Sequence, residues 1–243
     1  MNYSFLQCGE GALTVHLGDG IDPAINRRVT ALQGAIGSAG LRGITDLIPA
    51  YADLTVCYDC TVISAKALQR QLRRLLDSLS VAGQHRRRVF RLPVCYGGDY
   101  GPDLDFVCHH SGLSAQEVIE LHSAPDYLIY MLGFLPGFAY LGGLDPRLHT
   151  PRLDSPRTCI PAGSVGIGGA QTGVYPLASP GGWQLLGRTP VSVFDRQRQE
   201  PILYRAGDLV HFVPISPAEY EEIARAVAAG TYTVQVEEVP VCD

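Results

Sequence analysis

Residues 133–190 read GFLPGFAYLGGLDPRLHTPRLDSPRTCIPAGSVGIGGAQTGVYPLASPGGWQLLGRTP, and this stretch decides the fold of the C-terminal part of the chain. It holds 12 of the 27 glycines and 8 of the 17 prolines, a density that also occurs in disordered tracts. Unlike those tracts, it carries large apolar residues in short runs throughout. Short apolar runs separated by Gly and Pro are typical of brief strands joined by tight turns. The stretch therefore predicts an ordered, loop-rich β structure.

The polar residues of this stretch indicate a pocket wall for an anionic or amide-bearing ligand. Four arginines stand against two aspartates here, although the chain as a whole has a formal net charge of −5. Arginine pairs well with carboxylates and phosphates, and the chain's only tryptophan, Trp183, is in the same stretch. The arginines can equally brace loops by donating to backbone carbonyls. Spacing alone leaves both interpretations open.

No arrangement of nucleophile and base is evident in the sequence. Ser164 lies in Gly-Ser-Val-Gly, which is not the GxSxG elbow of hydrolases, and serine in such a turn is more often structural. The surrounding run PAGSVGIGG, residues 161–169, offers a series of backbone N–H groups that suit an anion such as phosphate. Glycine-rich turns are common, so this signal is weak by itself.

The N-terminal part alternates strands and helices. Asp22 and Pro23 predict a helix start, and Ser64 predicts another. The order β, α, β, β, α, β is that of a ferredoxin-like α+β unit filling residues 1–90. Its predicted elements are a strand at 10–17, a helix after Asp22 with apolar residues at helical spacing, strands at 43–49 and 52–60, a helix after Ser64 and a strand at 89–96.

Residues 91–243 are predicted to form a second domain rich in short strands. Ser114 and Glu117 have the form of a capping box, which places His122 near the C-terminal end of a helix, where a protonated histidine is favoured by the helix dipole. Many short strands with few helices predict a closed or nearly closed β barrel. The other predicted elements are a helix at 103–110, strands at 128–132, 191–194, 202–204 and 209–212, a helix at 217–229 and a final strand.

Composition excludes several classes of function. Only one lysine, Lys66, is present and no GxxxxGK[ST] occurs, which excludes a P-loop in this chain. The acidic balance without a basic stripe argues against a nucleic-acid partner, and the basic run at 85–88 is interpreted as a solvated linker. No histidine shows metal-ligand spacing with an acidic residue, so no metal site is predicted.

Cysteine usage and hydropathy predict a cytoplasmic protein. Seven cysteines, an odd number without a regular framework, fit reduced thiols better than disulfides. Cys57 and Cys60 form a CxxC that we interpret as structural, because residues three apart on a strand point to opposite faces. No run of about 18 apolar residues and no secretory leader is evident, so no membrane partner is predicted.

Three runs together resemble the signature of one family: FLPGFAYLGGL, TPRLDSPR and IPAGSVGIGGAQTGVYPLASPGGWQLLGRTP. This is the family that includes the B subunit of 5-oxoprolinase, the kinase inhibitor KipI and allophanate hydrolase subunit 1. The likeness extends to LPVCYGGDYGPDL, GLSAQEVIELHSA, EPILYRAGDLVHFVP and GEGALTVHLG, and so covers nearly the whole chain. It implies a ferredoxin-like N-terminal domain followed by a cyclophilin-like β barrel.

The resemblance also implies a function. Proteins similar to this one act as the B subunit of an ATP-dependent 5-oxoprolinase, a hydrolase in which a KipA-like C subunit and an A subunit help to convert 5-oxoproline to L-glutamate. ATP with Mg would serve the complex, no biotin would sit on this chain, and the chain alone would be inert. The implied substrate-binding residues are Arg152, Arg157 and Arg188 for anion contacts, Gln171 and Thr172 for polar recognition, Ser164 in the glycine-rich turn, and Tyr140, Tyr175 and Trp183 as pocket wall.

Two other functions remain open from the sequence. A KipI-like inhibitor of a sensor histidine kinase would use the surface of the N-terminal domain rather than the pocket. A component of an allophanate hydrolase or urea carboxylase would place the same module beside a biotin-dependent transferase. Lys66 lies between two alanines and lacks the context of a biotin-attachment lysine, which removes the carrier role but not a partner role.

Overall fold

The computed structural model describes residues 3–79 and 86–240 and divides the chain into two compact units. The first unit is Met1–His85 and the second is Arg86–Asp243. Each has its own apolar core, and each is described by itself below. The predicted boundary at residue 90 falls inside a strand of the second unit, Arg86–Tyr96.

The first unit is a four-stranded antiparallel sheet with two helices. Asp22 caps the first helix and Ser64 the second, as the sequence predicts, because each side chain accepts a hydrogen bond from a backbone N–H of the first turn. Alternate strand residues and one stripe of each helix form the core, which includes Leu13, Val15 and Leu72. The elements are β1 (Ser4–Cys8), β2 (Ala12–His16), α1 (Pro23–Ala39), β3 (Ile44–Pro49), β4 (Asp53–Tyr58) and α2 (Ala65–Asp77).

The fourth strand of this sheet is not the one that the sequence predicts. The sheet order is β1-β2-β4-β3, so the edge beside β2 is filled by β1. The predicted fourth strand, at 89–96, belongs to the second unit instead. β1 was missed because four of its five residues are exposed and it shows no clear alternation of apolar residues.

The second unit is a β barrel with three α-helices. Its large sheet has the order β12-β9-β10-β7-β6-β13-β5-β14, and β12 also pairs with β5, which closes a barrel of seven strands. A closed barrel is consistent with the expected cyclophilin-like domain. The elements are β5 (Arg86–Tyr96), α3 (Leu104–Ser111), α4 (Ala115–Ser123), β6 (Asp126–Leu132), β7 (Ala139–Gly142), β8 (Arg157–Ile160), β9 (Ser164–Gly168), β10 (Gln171–Val174), β11 (Ser179–Gly181), β12 (Gln184–Arg188), β13 (Leu209–Ile215), α5 (Pro217–Ala228) and β14 (Gln235–Pro240), with a short 3-10 turn at Pro146–Leu148.

β5 organises the barrel. Along its length it pairs in parallel with β13, and its N-terminal half pairs with β14. Arg88 forms a two-pronged ion pair with Asp208, and Arg91 forms one with Glu237. From Arg86 onward, the basic run is therefore part of a strand and not a solvated linker. His85, the first residue of the run, lies outside the described residues.

Two predicted closing strands do not form. Residues 191–194 and 202–204 form one isolated bridge, between Phe194 and Ile202, with the Leu203 N–H donating to the Val193 carbonyl at 3.0 Å, but no continuous ladder. A strand pair that the sequence did not predict forms inside the glycine-rich stretch instead. There β8 and β11 make a separate two-stranded ribbon. None of the helices in residues 3–79 and 86–240 is long and apolar enough to span a bilayer.

Candidate functional site

A cavity of about 380 Å³ lies on the outer face of the barrel wall, among the loop before β7, β7 itself, β11 and the segments that precede β8, follow β10 and precede β12. Consecutive residues pack on opposite sides of the barrel wall. Val174 and Leu186 pack in the barrel core, whereas their neighbours Tyr175 and Leu185 pack in a second, smaller apolar cluster. The cavity is lined by Phe134, Phe138, Tyr140, Arg152, Pro156, Tyr175, Pro180, Gly181, Gly182 and Trp183.

Four aromatic rings around Phe138 form the wall. The Phe138 ring makes edge contacts with Phe134, Tyr140, Tyr175 and Trp183, at centroid distances of 5.5, 5.1, 5.5 and 5.5 Å. Such contacts add to the stabilisation from burial and fix the orientation of each ring. The cavity is therefore an ordered apolar surface.

Trp183 needs glycine beneath it. A Cβ on Gly168 would lie 2.3 Å from the indole Nε1, and one on Gly173 would lie 3.2 Å from the far edge of the ring. Larger residues at these strand positions would push the indole out of the wall. This requirement explains part of the glycine density of the stretch.

Arg152 is the one charged side chain among the residues that line the cavity. It is exposed, its guanidinium lies 5.9 Å from the centroid of Trp183, and no acidic side chain of the described chain pairs with it. Burial raises the pKa of Tyr175, and the positive charges of Arg152 and Arg157 oppose that rise. The mouth of the cavity thus combines an aromatic wall with one uncompensated positive charge.

Arg157 braces the wall from behind. Its Nη2 donates to Asp103 Oδ1 at 2.6 Å, and its Nη1 donates to the carbonyl of Trp183 at 3.4 Å. Asp103 Oδ2 also accepts from the Leu185 N–H at 2.6 Å. The interpretation in which arginines brace loops through carbonyls therefore describes Arg157, whose charge is already paired.

Phe134 stands at the rim in a strained backbone conformation. Its φ is 60°, the one positive value among the described non-glycine residues, and its side chain is 63% exposed. The Leu135 N–H donates to the Gly133 carbonyl at 2.6 Å, which closes a three-residue γ-turn around Phe134. A bulky residue in this region is an outlier, and such outliers concentrate at binding sites.

The structure separates the other predicted site residues from the cavity. Thr172 is buried in the barrel core, Gln171 begins β10 and is partly exposed, and Ser164 and Arg188 face each other on β9 and β12. Tyr140, Arg152, Tyr175 and Trp183 are the predicted residues that it brings together. Sequence reasoning did not select Phe134 and Phe138 as site residues, although both lie in the quoted apolar runs, and it read Asp103 only as a helix start.

The backbone of residues 161–169 does not form the expected anion cradle. The N–H groups of Gly163, Ser164 and Gly169 donate to carbonyls of Tyr175, Pro161 and Thr150. The strand from Ser164 onward is paired on both sides, with β10 and β12. These backbone N–H groups therefore form hydrogen bonds within the protein and not an anion-binding cradle.

His122 is neutral and not the helix-capping cation that the sequence predicts. It is fully buried, and desolvation lowers its pKa to about 3, because the burial effect outweighs the helix dipole. Its ring nitrogens lie 2.8 Å from Tyr96 Oη and 2.8 Å from Thr172 Oγ1, and the ring stacks on Phe212 at 4.8 Å. Thr172 thus supports the barrel interior.

The described residues show no candidate metal centre: nowhere in 3–79 and 86–240 do three His, Cys, Asp or Glu side chains gather as metal ligands would. The CxxC does not lie wholly within a strand, because β4 ends at Tyr58 and Cys60 follows in a turn. Both cysteines are free thiols.

Comparison with known proteins gives a consistent family. Residues 3–204 match the family described as carboxyltransferase domain, subdomain C and D. The 5-oxoprolinase B subunit of Bacillus subtilis (strain 168) is 42% identical over 230 residues, which are 90% of this chain and 96% of that protein.

Solved structures share the fold. A crystal structure of TTHA0988 superposes with a TM-score of 0.75 at 40% identity, covering 84% of this chain and 40% of that one. The K. lactis urea amidolyase superposes with a TM-score of 0.82 over 98% of this chain and 16% of its own length. At 23% identity the second likeness shows the fold alone. The chain therefore corresponds to less than half of each of these two solved chains.

Proposed function

The chain belongs to the carboxyltransferase family of subdomains C and D, and within it to the B subunits of 5-oxoprolinase, and from this premise we propose that it serves an ATP-dependent 5-oxoprolinase in that role. The reaction opens a five-membered cyclic amide, 5-oxoproline, to L-glutamate and consumes ATP. A lactam is a stable amide, so its carbon needs activation. Phosphoryl transfer to the lactam oxygen releases ADP, water adds at the activated carbon, the carbon–nitrogen bond breaks, and a second water releases phosphate.

The observation that carries this proposal is the aromatic cavity with one unpaired arginine. A small cyclic acid needs an apolar wall for its ring and one cation for its carboxylate. Trp183 and Phe138 supply the wall, and Arg152 supplies a charge at the mouth. A bond between arginine and a carboxylate is charge-assisted and fixes the orientation of the acid. Tyr140 and Tyr175 complete the wall, and Phe134 covers its rim.

Three other predicted residues have lesser roles in this proposal. Arg157 holds the backbone of Trp183, and Thr172 anchors the core behind β10. Gln171 stays a candidate for polar contact with substrate from the start of β10. None of these groups is proposed to act as a base or nucleophile.

We assign the remaining chemistry to the complex. The partners are a KipA-like C subunit and an A subunit, and ATP with Mg is bound by the assembly, because this chain has no P-loop. Biotin is not attached to this chain. The isolated chain is inert in this proposal. The cytoplasm is the proposed compartment, supported by the six described cysteines, which are all free thiols.

We also propose that the first unit is a ferredoxin-like variant. The order β2-β4-β3, with α1 and α2 as the two crossing helices, supports this name. The variation is that the N-terminal strand β1 fills the edge position that the last strand holds in the standard arrangement.

The test is turnover by the reconstituted complex. ATP hydrolysis that depends on 5-oxoproline is measured for this chain alone and with the co-expressed C and A subunits. We expect turnover only in the complete set. No turnover by a complex verified as assembled would contradict the proposal and favour a kinase-inhibitor or urea-carboxylase role.

The pocket assignment has its own measurement. Arg152→Gln should raise the KM for 5-oxoproline roughly tenfold or more, because a hydrogen bond to a charged group is lost. Arg196 is also exposed and does not line the cavity, so Arg196→Gln is the matched control and should leave KM unchanged. Equal KM values for the two variants would remove Arg152 from the site without touching the proposed role of the chain in the complex.

A further inference from the structure

Ser164 and Arg188 form a second polar site, outside the aromatic cavity. They are direct partners in the antiparallel pair β9–β12, so their side chains project from the same face of the sheet with Cβ atoms about 5 Å apart. Val165, next to Ser164, packs into the barrel core, which places the pair on the outer face. Neither residue lines the cavity.

Both residues carry a buried polar atom that finds no partner in the part of the chain that the structure describes. Ser164 is fully buried and its Oγ has no hydrogen-bond partner there, and the Arg188 Nε is likewise buried and unbonded. Buried polar groups are normally satisfied, because each unpaired one costs the free energy of its lost hydration. Two such donors on directly opposed residues indicate a missing acceptor.

Within residues 3–79 and 86–240, no carboxylate forms an ion pair with Arg188. Across the other edge of β12 it faces Cys95, and burial raises the pKa of that thiol, so the thiol is neutral. The guanidinium donates a hydrogen bond to the hydroxyl of Tyr220 on α5, and burial raises the pKa of that phenol, so Tyr220 is a neutral partner that can still donate its own O–H. The two acidic residues that flank Tyr220 have other partners: Glu219 accepts from Ser216 in the capping box, and Glu221 is exposed and accepts a hydrogen bond from Tyr100 at 3.2 Å. Burying part of an arginine without a carboxylate partner costs free energy unless a bound anion balances its charge.

We propose that Ser164, Arg188 and Tyr220 form a binding site for a small oxyanion of the phosphate class. The three donors belong to β9, β12 and α5, and a tetrahedral group with several oxygens can accept from more donors than a planar carboxylate with two. The site is distinct from the aromatic cavity. Arg188 lies five residues from Trp183, roughly 16 Å along an extended strand. One small ligand does not reach both.

Calorimetric titration of the isolated full-length chain with inorganic phosphate, at constant ionic strength, tests the site. We expect saturable binding of one phosphate per chain, weakened roughly tenfold or more by Arg188→Gln and by Ser164→Ala. The control variants Arg152→Gln and Arg196→Gln should bind phosphate as the wild type does. Parallel titrations with ADP and ATP distinguish a site for nucleotide phosphates from one for free phosphate, and either ligand fits the proposal.

Thermal unfolding separates loss of the site from loss of the fold. Without phosphate, Ser164→Ala should be as stable as the wild type or more stable, because the variant removes an unpaired buried hydroxyl. With phosphate, the midpoint should rise for the wild type and rise less for Ser164→Ala. Absence of binding by the wild type, or equal binding by wild type and Ser164→Ala, would overturn the proposal. Neither assay needs the other subunits, so this outcome is independent of the proposed enzyme function.

Discussion

Phe134 shows how a single residue stores strain at the rim of a cavity. Its neighbours explain why the strain persists: the Gly133 N–H donates to the Phe138 carbonyl at 3.1 Å, and this bond closes a short loop around the γ-turn. Edge contact with Phe138 then holds the exposed ring against the cavity. The sequence Gly-Phe-Leu-Pro-Gly signals a turn, but the glycines on either side, rather than Phe134, were the natural candidates for positive φ.

We therefore predict that Phe134→Gly is more stable than Phe134→Ala. Both variants remove the ring, but glycine adopts φ near 60° without the steric penalty that alanine has there, a difference of about 1 kcal/mol. Denaturant unfolding monitored by circular dichroism gives the two free energies of unfolding. Both variants should lose affinity for the pocket ligand equally. An alanine variant as stable as the glycine variant would show that the turn is relaxed.

For His122, the neighbouring sequence predicts the wrong charge state. Its position near the end of α4 predicts a stabilised cation, and only the barrel packed over it makes it neutral. The partners of its two ring nitrogens, Tyr96 and Thr172, are 26 and 50 residues away in the chain. No periodicity within a single helix contains that information.

The lowered pKa of His122 predicts a pH dependence of stability. In the folded chain the pKa is about 3 rather than 6.5, so between these values the unfolded state binds the extra proton. The contribution to stability is complete above pH 6.5 and is lost as the pH falls, by up to about 1.4 kcal/mol per pH unit. Unfolding free energies at pH 7 and pH 5 measure it.

Variants assign this slope to one histidine. His122→Gln should flatten the decrease between pH 7 and pH 5, although the variant is less stable at neutral pH. His16→Gln is the contrasting control, because the hydrogen bond to Asp53 raises the pKa of His16 and gives the opposite sign. A slope unchanged in His122→Gln would mean that another group causes the acid sensitivity.

At the scale of elements, caps and periodicity predicted helices well. Ser114 and Glu117 form the capping box at α4 that the sequence indicates, and Ser216 with Glu219 forms another at α5. These signals are local, since a side chain bonds a backbone group three residues away. Strand partners are not local, which is why the sequence assigned the strand at 89–96 to the wrong sheet and missed β1.

The Asp103–Arg157 pair couples α3, β8 and β12 behind the cavity. Asp103 precedes α3 without capping it, and its carboxylate instead accepts from Leu185 and Arg157. We predict that Asp103→Asn and Arg157→Gln each lower the free energy of unfolding by about 1–3 kcal/mol, because each leaves a largely buried partner without its counter-charge. The two effects should be less than additive in the double variant.

Trp183 reports on this coupling, since it is the chain's only tryptophan and its carbonyl contacts Arg157. Loosening of the wall should shift its fluorescence to longer wavelength in both variants. Arg147→Gln is the matched control: it breaks the exposed pair with Asp145, so it should cost less than about 1 kcal/mol and leave the emission unchanged. Unchanged emission in Asp103→Asn would contradict the proposed bracing role.

At the scale of the whole molecule, the sequence predicted a barrel, and four of its candidate site residues line the cavity because the glycine-rich stretch contains most of the wall. It did not predict which strand completes each unit. The exposed β1 has almost no apolar pattern, while β5 contains three consecutive arginines that resemble a linker. The ion pairs of Arg88 and Arg91 depend on acidic residues more than 100 positions away.

The position of β5 yields a final prediction about where the chain can be divided. A fragment of residues 86–243 should fold cooperatively, whereas one of residues 91–243 should not. Starting at residue 91 removes five of the six β5 residues that pair with β14, the buried side chains of Val89 and Phe90, and the ion pair of Arg88 with Asp208. Burial of two large apolar side chains alone contributes about 3–6 kcal/mol, which is comparable to the total stability of many domains.

Thermal denaturation followed by near-ultraviolet circular dichroism compares the two fragments, with Trp183 as the probe of the barrel wall. The longer fragment should retain the tryptophan signal of the full chain and lose it in a single transition. The shorter one should lack that signal at all temperatures. Cooperative unfolding of both fragments would show that residues 86–90 are dispensable, and the barrel would then be closed by β12 and the rest of β5 alone, through the pairing of Gly187 and Arg188 with Tyr96 and Cys95.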